Sequence, residues 1–342
     1  MTGALTWARL SFRQQKWELI LVALVTVGAA MAMVYFATTL DAMRAASPEC
    51  LNGLRAQFES PSGPPLACQA IVGEWYEIQG STSMLGTFAL GAPLGIGVIL
   101  GAPLVAREID GGTAQLAWSL SGSRTRWLLR RIGFVTAFAL VLLAVVAAAS
   151  ELMSAAVEPD RDLAEDFAFF GQRGLPVVAR GAGALMIGVL VGSLVGRVLP
   201  AVLAAVLIIG LAFAGLSLGQ EAWNRGEATI QRFYDDEGQP VPFDFAAMDV
   251  DYGLQRPDGE VLNYGDAYES GILTETYQDE LGRIYASEAD MEAGRVFGHD
   301  IRLVIAAERY PELALRDSVL WVLSGLAAFG AAAIVVTGRR PV

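Results

Sequence analysis

Two stretches without a single charged residue, Thr82 to Leu100 and Ile132 to Ser150, bracket an arginine-dense segment from Pro103 to Arg131. A helix rises about 1.5 Å per residue, so each stretch is long enough to cross a hydrocarbon core of ~30 Å. Backbone groups in such a core have to satisfy one another, and an apolar run of this length does so as a helix. Four further runs meet the same criterion: Leu19 to Leu40, Leu175 to Gly196, Leu199 to Gly219 and Ser318 to Val336. Hydrophobic residues make up 54% of the 342 and charged residues 18%, with a mean hydropathy of +0.45, as expected of an integral membrane protein. The expected fold class is an all-α polytopic membrane protein of six transmembrane helices, with a mixed α/β extracytoplasmic domain between the fifth and sixth spans.

The orientation follows from the arginines. In the 103–131 segment Arg107, Arg124, Arg126, Arg130 and Arg131 face only Glu108 and Asp110, and an excess of bases close to span ends marks the cytoplasmic side. Six spans then place both termini in the cytoplasm, together with Arg9, Arg13, Lys16, Arg197, Arg339 and Arg340, and leave outside all of the chain's 36 acids except Glu18, Glu108 and Asp110. The first apolar run is of span length and lacks a small-residue cleavage pattern, so it is expected to be retained as an anchor.

Residues 1–17 read as a cytoplasmic amphipathic helix, with Thr6, Arg9, Arg13 and Lys16 at helical spacing. They form either a positive-inside flank or an elbow packed on neighbouring spans. Residues 18–219 hold spans one to five and the 103–131 loop, residues 220–316 the extracytoplasmic domain, and residues 317–342 the sixth span and a cytoplasmic tail. Only Arg197-Val198-Leu199-Pro200 turns the chain between the fourth and fifth spans, making them antiparallel neighbours. Gly188, Gly192 and Gly196 in the fourth span, and Gly91/Gly95 and Gly97/Gly101 in the second, offer small faces for close packing, expected within the subunit rather than at a dimer seam. Pro93 and Pro103 are expected to bend or end the second span. Arg180, inside the fourth, is expected to snorkel to the outer headgroups.

The first exterior part, Asp41 to Gly80, contains the only two cysteines, Cys50 and Cys68. Outside the cytoplasm a bridge between them is permitted and would contribute ~3 kcal/mol through chain entropy. Glu151 to Gly174 is short and acidic. In Gln220 to Arg316, Arg256-Pro257-Asp258-Gly259 reads as a hairpin turn, Asp236-Glu237-Gly238 as another, and Thr274 to Arg309 as mostly helical. Asp249, Asp251, Asp258 and Glu260 hint at calcium but lack EF-hand spacing, so they read as a solvated acidic surface.

Most enzyme chemistry lacks its residues. His299 is the sole histidine, too few for a multi-histidine metal centre, and no glycine loop precedes Lys16, the only lysine, so there is no Walker phosphate loop. No catalytic, cofactor-binding or metal-ligating residue is expected, and nucleic acid is not expected as a partner.

Against that background the 103–131 loop becomes specific. It resembles the loop of type-2 ABC exporter permeases, the membrane subunits of ATP-binding cassette transporters, in Pro103, Leu104, Ala106, Arg107, Glu108, Gly112, Thr113, Leu116, Ala117 and Trp118, followed by Ser123, Arg124, Arg126 and Trp127. The resemblance implies a permease that works as a pair, with a second copy or a paralogue, and with cytoplasmic ABC ATPase subunits that carry the ATP and magnesium. It further implies that a short helix in this loop sits in a cleft of the ATPase. The residues suit that role. Gly111-Gly112 can break the helix leaving the second span, Thr113 can cap a new one, Leu116 and Trp118 can form its knob, and Ser123 can cap the third span. Glu108 is expected to pair with an arginine such as Arg124 or Arg126. Few charges in the spans point to a lipophilic or amphipathic cargo. A non-transporting sensor or assembly anchor in the same membrane, its exterior domain binding a ligand or partner, is the alternative.

Overall fold

The computed structural model describes residues 2–53, 64–113, 123–235, 239, 241, 244–269, 271, 273, 277–279 and 283–338, with the side chains of residues 2–11 and 14 left aside. The chain divides into two compact units, one made of residues 1–161, 168–215 and 312–342, the other of residues 162–167 and 216–311.

The first unit is helical, and among the described residues of the chain six helices are long and apolar enough to cross a membrane. The first, Thr2–Ala46, is broken at Gln15, whose φ of −121° and ψ of 22° leave the helical region. The amphipathic N-terminal segment and the span proper therefore meet at a kink, two residues before the boundary read from the sequence. The second span begins as Gln69–Ile96, passes through one π-helical turn at Gly97–Gly101 and resumes as Ala102–Asp110. Pro103 neither ends this span nor stops its rise. A proline ring collides with the carbonyl four residues earlier, and the widened π turn lies where that collision would fall.

The exterior segment read as Asp41 to Gly80 is shorter than expected, because helix continues to Ala46 on one side and starts at Gln69 on the other. Between them, among the described residues, a helical turn at Pro48–Leu51 and a 3-10 turn at Leu66–Cys68 carry Cys50 and Cys68, which are disulfide-bonded to each other. The third span runs Arg124–Val157, the fourth Leu175–Val195, the fifth Val198–Glu227 and the sixth Tyr310–Gly338. The fourth ends at Gly196, whose φ of 70° is the left-handed conformation a helix C-cap requires and a side chain resists.

The apolar core is built chiefly from the first, second and third spans, with Leu19, Met33 and Leu40 of the first, Trp75, Ile96 and Leu104 of the second and Leu128, Val135 and Leu143 of the third, joined by Val189 of the fourth. The fourth span is the most deeply buried, and its glycines explain how. A Cβ at Gly188 would strike the Gly97 carbonyl oxygen, and one at Gly192 that of Ala102. The small face of the fourth span thus packs backbone to backbone on the π turn of the second, within the same chain. Gly91 and Gly95, by contrast, face open space.

In the second unit an antiparallel sheet has the order β3-β2-β6-β5-β4, with β1 also on β6. The strands are β1 Thr229–Arg232, β2 Met248–Gln255, β3 Val261–Asn263, β4 Tyr277–Gln278, β5 Arg283–Tyr285 and β6 Gly298–Ile305. β6 is central: β2 pairs along it from Met248↔Ile305 to Gln255↔His299, while β1 and β5 share its other edge. β2 and β3 form the hairpin read at Arg256–Gly259, closed by the Arg256 amide donating to the Glu260 carbonyl at 2.8 Å. The second hairpin turn, 236–238, lies outside the described residues, but the Asp235 amide donates to the Gln239 carbonyl and the Val241 amide to that of Phe233 across it. The expectation of a mostly helical Thr274 to Arg309 is wrong. Its described part holds the strands β4, β5 and β6 and irregular connections, and its helix is limited to the Ser287-capped Glu288–Glu292 and a short turn at Ala307–Arg309. Ile301, Val304 and Ile305 are buried along β6, and packing against β2 on one edge and β1 and β5 on the other decides strand over helix there.

Candidate functional site

The second span ends at Asp110 because Gly111 and Gly112 break it. The Gly111 amide still reaches the Arg107 carbonyl at 2.9 Å, but Gly112 turns to a φ of 68°. The amides that Thr113 would cap lie outside the described residues. The Thr113 hydroxyl turns back onto the span end and donates to Glu108 Oε2 at 2.6 Å. On the far side of the loop, Ser123 caps the third span, its Oγ accepting from the Arg126 amide at 3.2 Å. Leu116 and Trp118 lie outside the described residues, as does all of 114–122.

Glu108 does not pair with Arg124 or Arg126. Its Oε1 meets Arg131 Nη2 at 3.2 Å, with both side chains nearly inaccessible, at 8% and 2% exposure. The reason is helical geometry: Arg124 and Arg126 stand in the first turn of the third span, whereas Arg131 is about two turns further in, where the buried Glu108 lies. Arg124 instead donates through Nη1 to the carbonyls of Val336 at 3.3 Å and Thr337 at 3.0 Å, satisfying the last turn of the sixth span. Arg107 pairs with Glu18 of the first span. Asp110 accepts from the Val198 amide at 3.2 Å, an anion at the N-terminus of the fifth-span helix. Arg126 and Arg130 are exposed.

The loop's two ends therefore carry polar links to the first, third, fifth and sixth spans. Sequence reading brought Arg107, Glu108, Gly111, Gly112, Thr113, Arg124 and Arg126 to this place and missed the roles of Glu18, Asp110 and Arg131. A signal was present. Glu18, Glu108 and Asp110 are the only acids on the arginine-rich side, and each has found a donor.

A second polar cluster lies at the other end of the same unit. Arg180 does not snorkel. It is buried, with Nε donating to Asp317 Oδ2 at 3.0 Å, Nη1 to the Gly171 carbonyl at 2.9 Å, and its guanidinium 5.8 Å from the Phe213 ring. An ionised partner in the sixth span makes an interior position cheaper than stretching to the headgroups. Neighbouring Arg173 pairs with Glu151 at 2.9 Å.

Between the third, fourth and sixth spans an apolar cavity of about 500 Å³, open on its outer side, is lined by residues that include Gly133, Thr136, Met186 and Phe329. Within the second unit a smaller polar cavity of about 420 Å³ is lined by Arg225, Asp251, Asn263 and Asp266 among others. The candidate calcium acids are engaged with protein groups: Asp249 with Arg302, Asp251 with Arg225, and Asp258 and Glu260 with Arg256. Among the described residues no three or more His, Cys, Asp or Glu side chains gather as metal ligands would.

A family profile described as ABC-2 membrane transporter related matches residues 18–218, which include the first five spans up to Leu218 and the loop between the second and third. Comparisons with curated proteins and with solved structures gave no match.

Proposed function

We propose that this chain, which belongs to the ABC-2 membrane transporter related family, is the membrane-spanning permease of an exporter driven by ATP that separate cassette subunits hydrolyse. The observation that carries this reading is the set of links at the loop ends: Arg107 to Glu18, Glu108 to Arg131, Asp110 to Val198, and Arg124 to the end of the sixth span. A displacement of the loop by a partner reaches four other spans at once, which is what coupling nucleotide closure to a membrane pathway requires.

In this reading the loop and both termini are cytoplasmic, the membrane is the plasma membrane, and residues 220–316 face outward. Leu116 and Trp118 form the knob that enters the ATPase cleft, and ATP and magnesium stay on that partner. The permease works with a second copy or a paralogue, for which the exposed apolar face of the fifth span, with Leu203, Leu207 and Leu211, provides surface. Of the spans' charged side chains, Arg180 is neutralised by Asp317, which suits a lipophilic or amphipathic cargo.

The test is co-purification with the ATPase subunit, followed by ATP-driven transport in reconstituted membranes. Leu116→Asp and Trp118→Ala are expected to lose assembly or ATP-stimulated transport while remaining inserted, because truncating a central interface anchor costs upwards of ~2 kcal/mol of binding. Wild-type assembly and transport in both variants would overturn the docking role.

A further inference from the structure

We infer that the cavity between the third, fourth and sixth spans is a binding site for one anionic phospholipid of the leaflet on the loop's side. This goes beyond the transport reading. It requires only that the helices lie in a membrane, whatever the chain moves.

The third span presents one continuous face. Arg126 and Arg130 stand on it at the loop end, both exposed, and neither is ion-paired among the described residues. The three acids on that side are already engaged, Glu18 with Arg107, Glu108 with Arg131 and Asp110 with the Val198 amide. Two uncompensated guanidiniums at the membrane surface suit a phosphate group.

Directly beneath them the same face becomes the cavity wall, at Gly133, Thr136 and Leu140, opposite Met186, Gly325 and Phe329. A Cβ at Gly133 would meet nothing within 4 Å, so the glycine leaves space rather than admitting a neighbouring helix. From Arg130 to Leu140 a helix rises about 15 Å, the depth of one leaflet. A headgroup site above an acyl slot of one-leaflet depth fits a phospholipid. A two-fold contact between copies through this face would bring the same arginines toward their counterparts.

The test uses full-length protein in phosphatidylcholine vesicles with a minor fraction of phosphatidylglycerol, one or the other lipid carrying a photoreactive acyl chain. Cross-links are located by mass spectrometry on peptides covering residues 129–140 and 322–329. Phosphatidylglycerol is expected to label these peptides in preference to phosphatidylcholine. Arg126→Gln and Arg130→Gln should each lower that preference about fivefold. Gly133→Leu, which fills the slot, should abolish labelling by either lipid, while Gly91→Leu, at another open glycine, should leave it unchanged. Equal labelling by the two lipids in the wild type, a preference unaltered by both arginine changes, or cross-links joining two copies of the chain at Gly133 would overturn the proposal.

Discussion

Glu108 and Arg131 face each other at 3.2 Å, one at the end of the second span and the other two turns into the third, and almost no water reaches either. They close the base of the loop like a clasp, with Thr113 hydrogen-bonded to the second carboxylate oxygen. Removing one partner of such a pair leaves a buried charge and typically costs ~3–5 kcal/mol, whereas replacing both with apolar groups of similar size is often close to neutral. Glu108→Gln and Arg131→Met are each expected to lower the thermal midpoint of the detergent-solubilised protein by several degrees, and Glu108→Leu/Arg131→Met to recover most of it. Additive losses in the double variant would show that the two residues act separately. In the coupled assembly the double variant should still bind the ATPase but transport less per ATP, since the clasp that transmits loop motion is gone.

The Arg180–Asp317 pair ties the fourth span to the sixth, and its guanidinium also holds the Gly171 carbonyl. Arg180→Met is expected to destabilise more than Arg173→Met, because Asp317 is 1% exposed and left without that partner, while Glu151, at 44%, can turn to solvent. Gly171→Ala should destabilise too, since its φ of 76° strains any side chain and a Cβ there overlaps the Arg180 guanidinium. Thermal midpoints in detergent decide it, and Arg180→Met unfolding at the wild-type midpoint would refute the strut.

The sequence located the fourth span to within a residue because both of its ends carry backbone signals, Pro176 in the first turn and Gly196 at the cap. The other spans were underestimated. Hydropathy marks where hydrocarbon ends, not where hydrogen bonding ends, so polar turns such as Gln69 to Ser81 continue the helix beyond the apolar window. The loop's glycines and Ser123 were legible for the same reason as Gly196: they interrupt or cap a helix in a way only their side chains permit. Which arginine meets Glu108 was not legible, because partner choice depends on how two helices are rotated against each other. The sheet was half legible. Turn residues gave the β2–β3 hairpin, but β6 draws its stability from β2, β1 and β5, distant in sequence, and no local pattern at 298–305 announces them.

In the second unit the Tyr264 hydroxyl donates to Asp300 Oδ1 at 2.8 Å. Burial, reinforced by this bond and the carboxylate's charge, pushes the phenol well above its usual value. Burial also raises the Asp300 carboxyl, against the opposing pull of hydrogen bonds from Tyr264 and Gln278. Both groups keep their protons longer folded than unfolded, so the stability they contribute is full below the unfolded pKa and lost as pH rises through the folded one. For Asp300 that loss begins above about pH 4, and for Tyr264 above about pH 10. The wild type minus Tyr264→Phe difference in phenolate absorbance should therefore rise later than that of the other tyrosines. Between pH 9 and 11 the wild type should lose more protease resistance in this unit than the variant. A difference titrating at the ordinary phenol value would refute the coupling.

The topology can be decided with single cysteines. Gly112 and Gly259 are poor sites, since their φ values of 68° and 88° would strain a side chain. Exposed Thr125, at the start of the third span, and exposed Glu292, at the end of the short helix in the second unit, avoid that strain. Cys50 and Cys68, bonded to each other, should stay silent toward a thiol reagent, so each introduced cysteine is read against a clean background. In intact cells a membrane-impermeant maleimide is expected to label Glu292→Cys and spare Thr125→Cys, with Thr125→Cys reacting once the membrane is opened. The arginines gathered around the loop set this direction, because bases near span ends resist translocation whereas the acids of the sheet unit do not. Labelling of Thr125→Cys but not Glu292→Cys in intact cells would invert the protein. Labelling of Cys50 and Cys68 in otherwise unaltered protein, purified without reductant, would show the bridge to be absent and would remove the support it lends to placing that turn outside the cytoplasm.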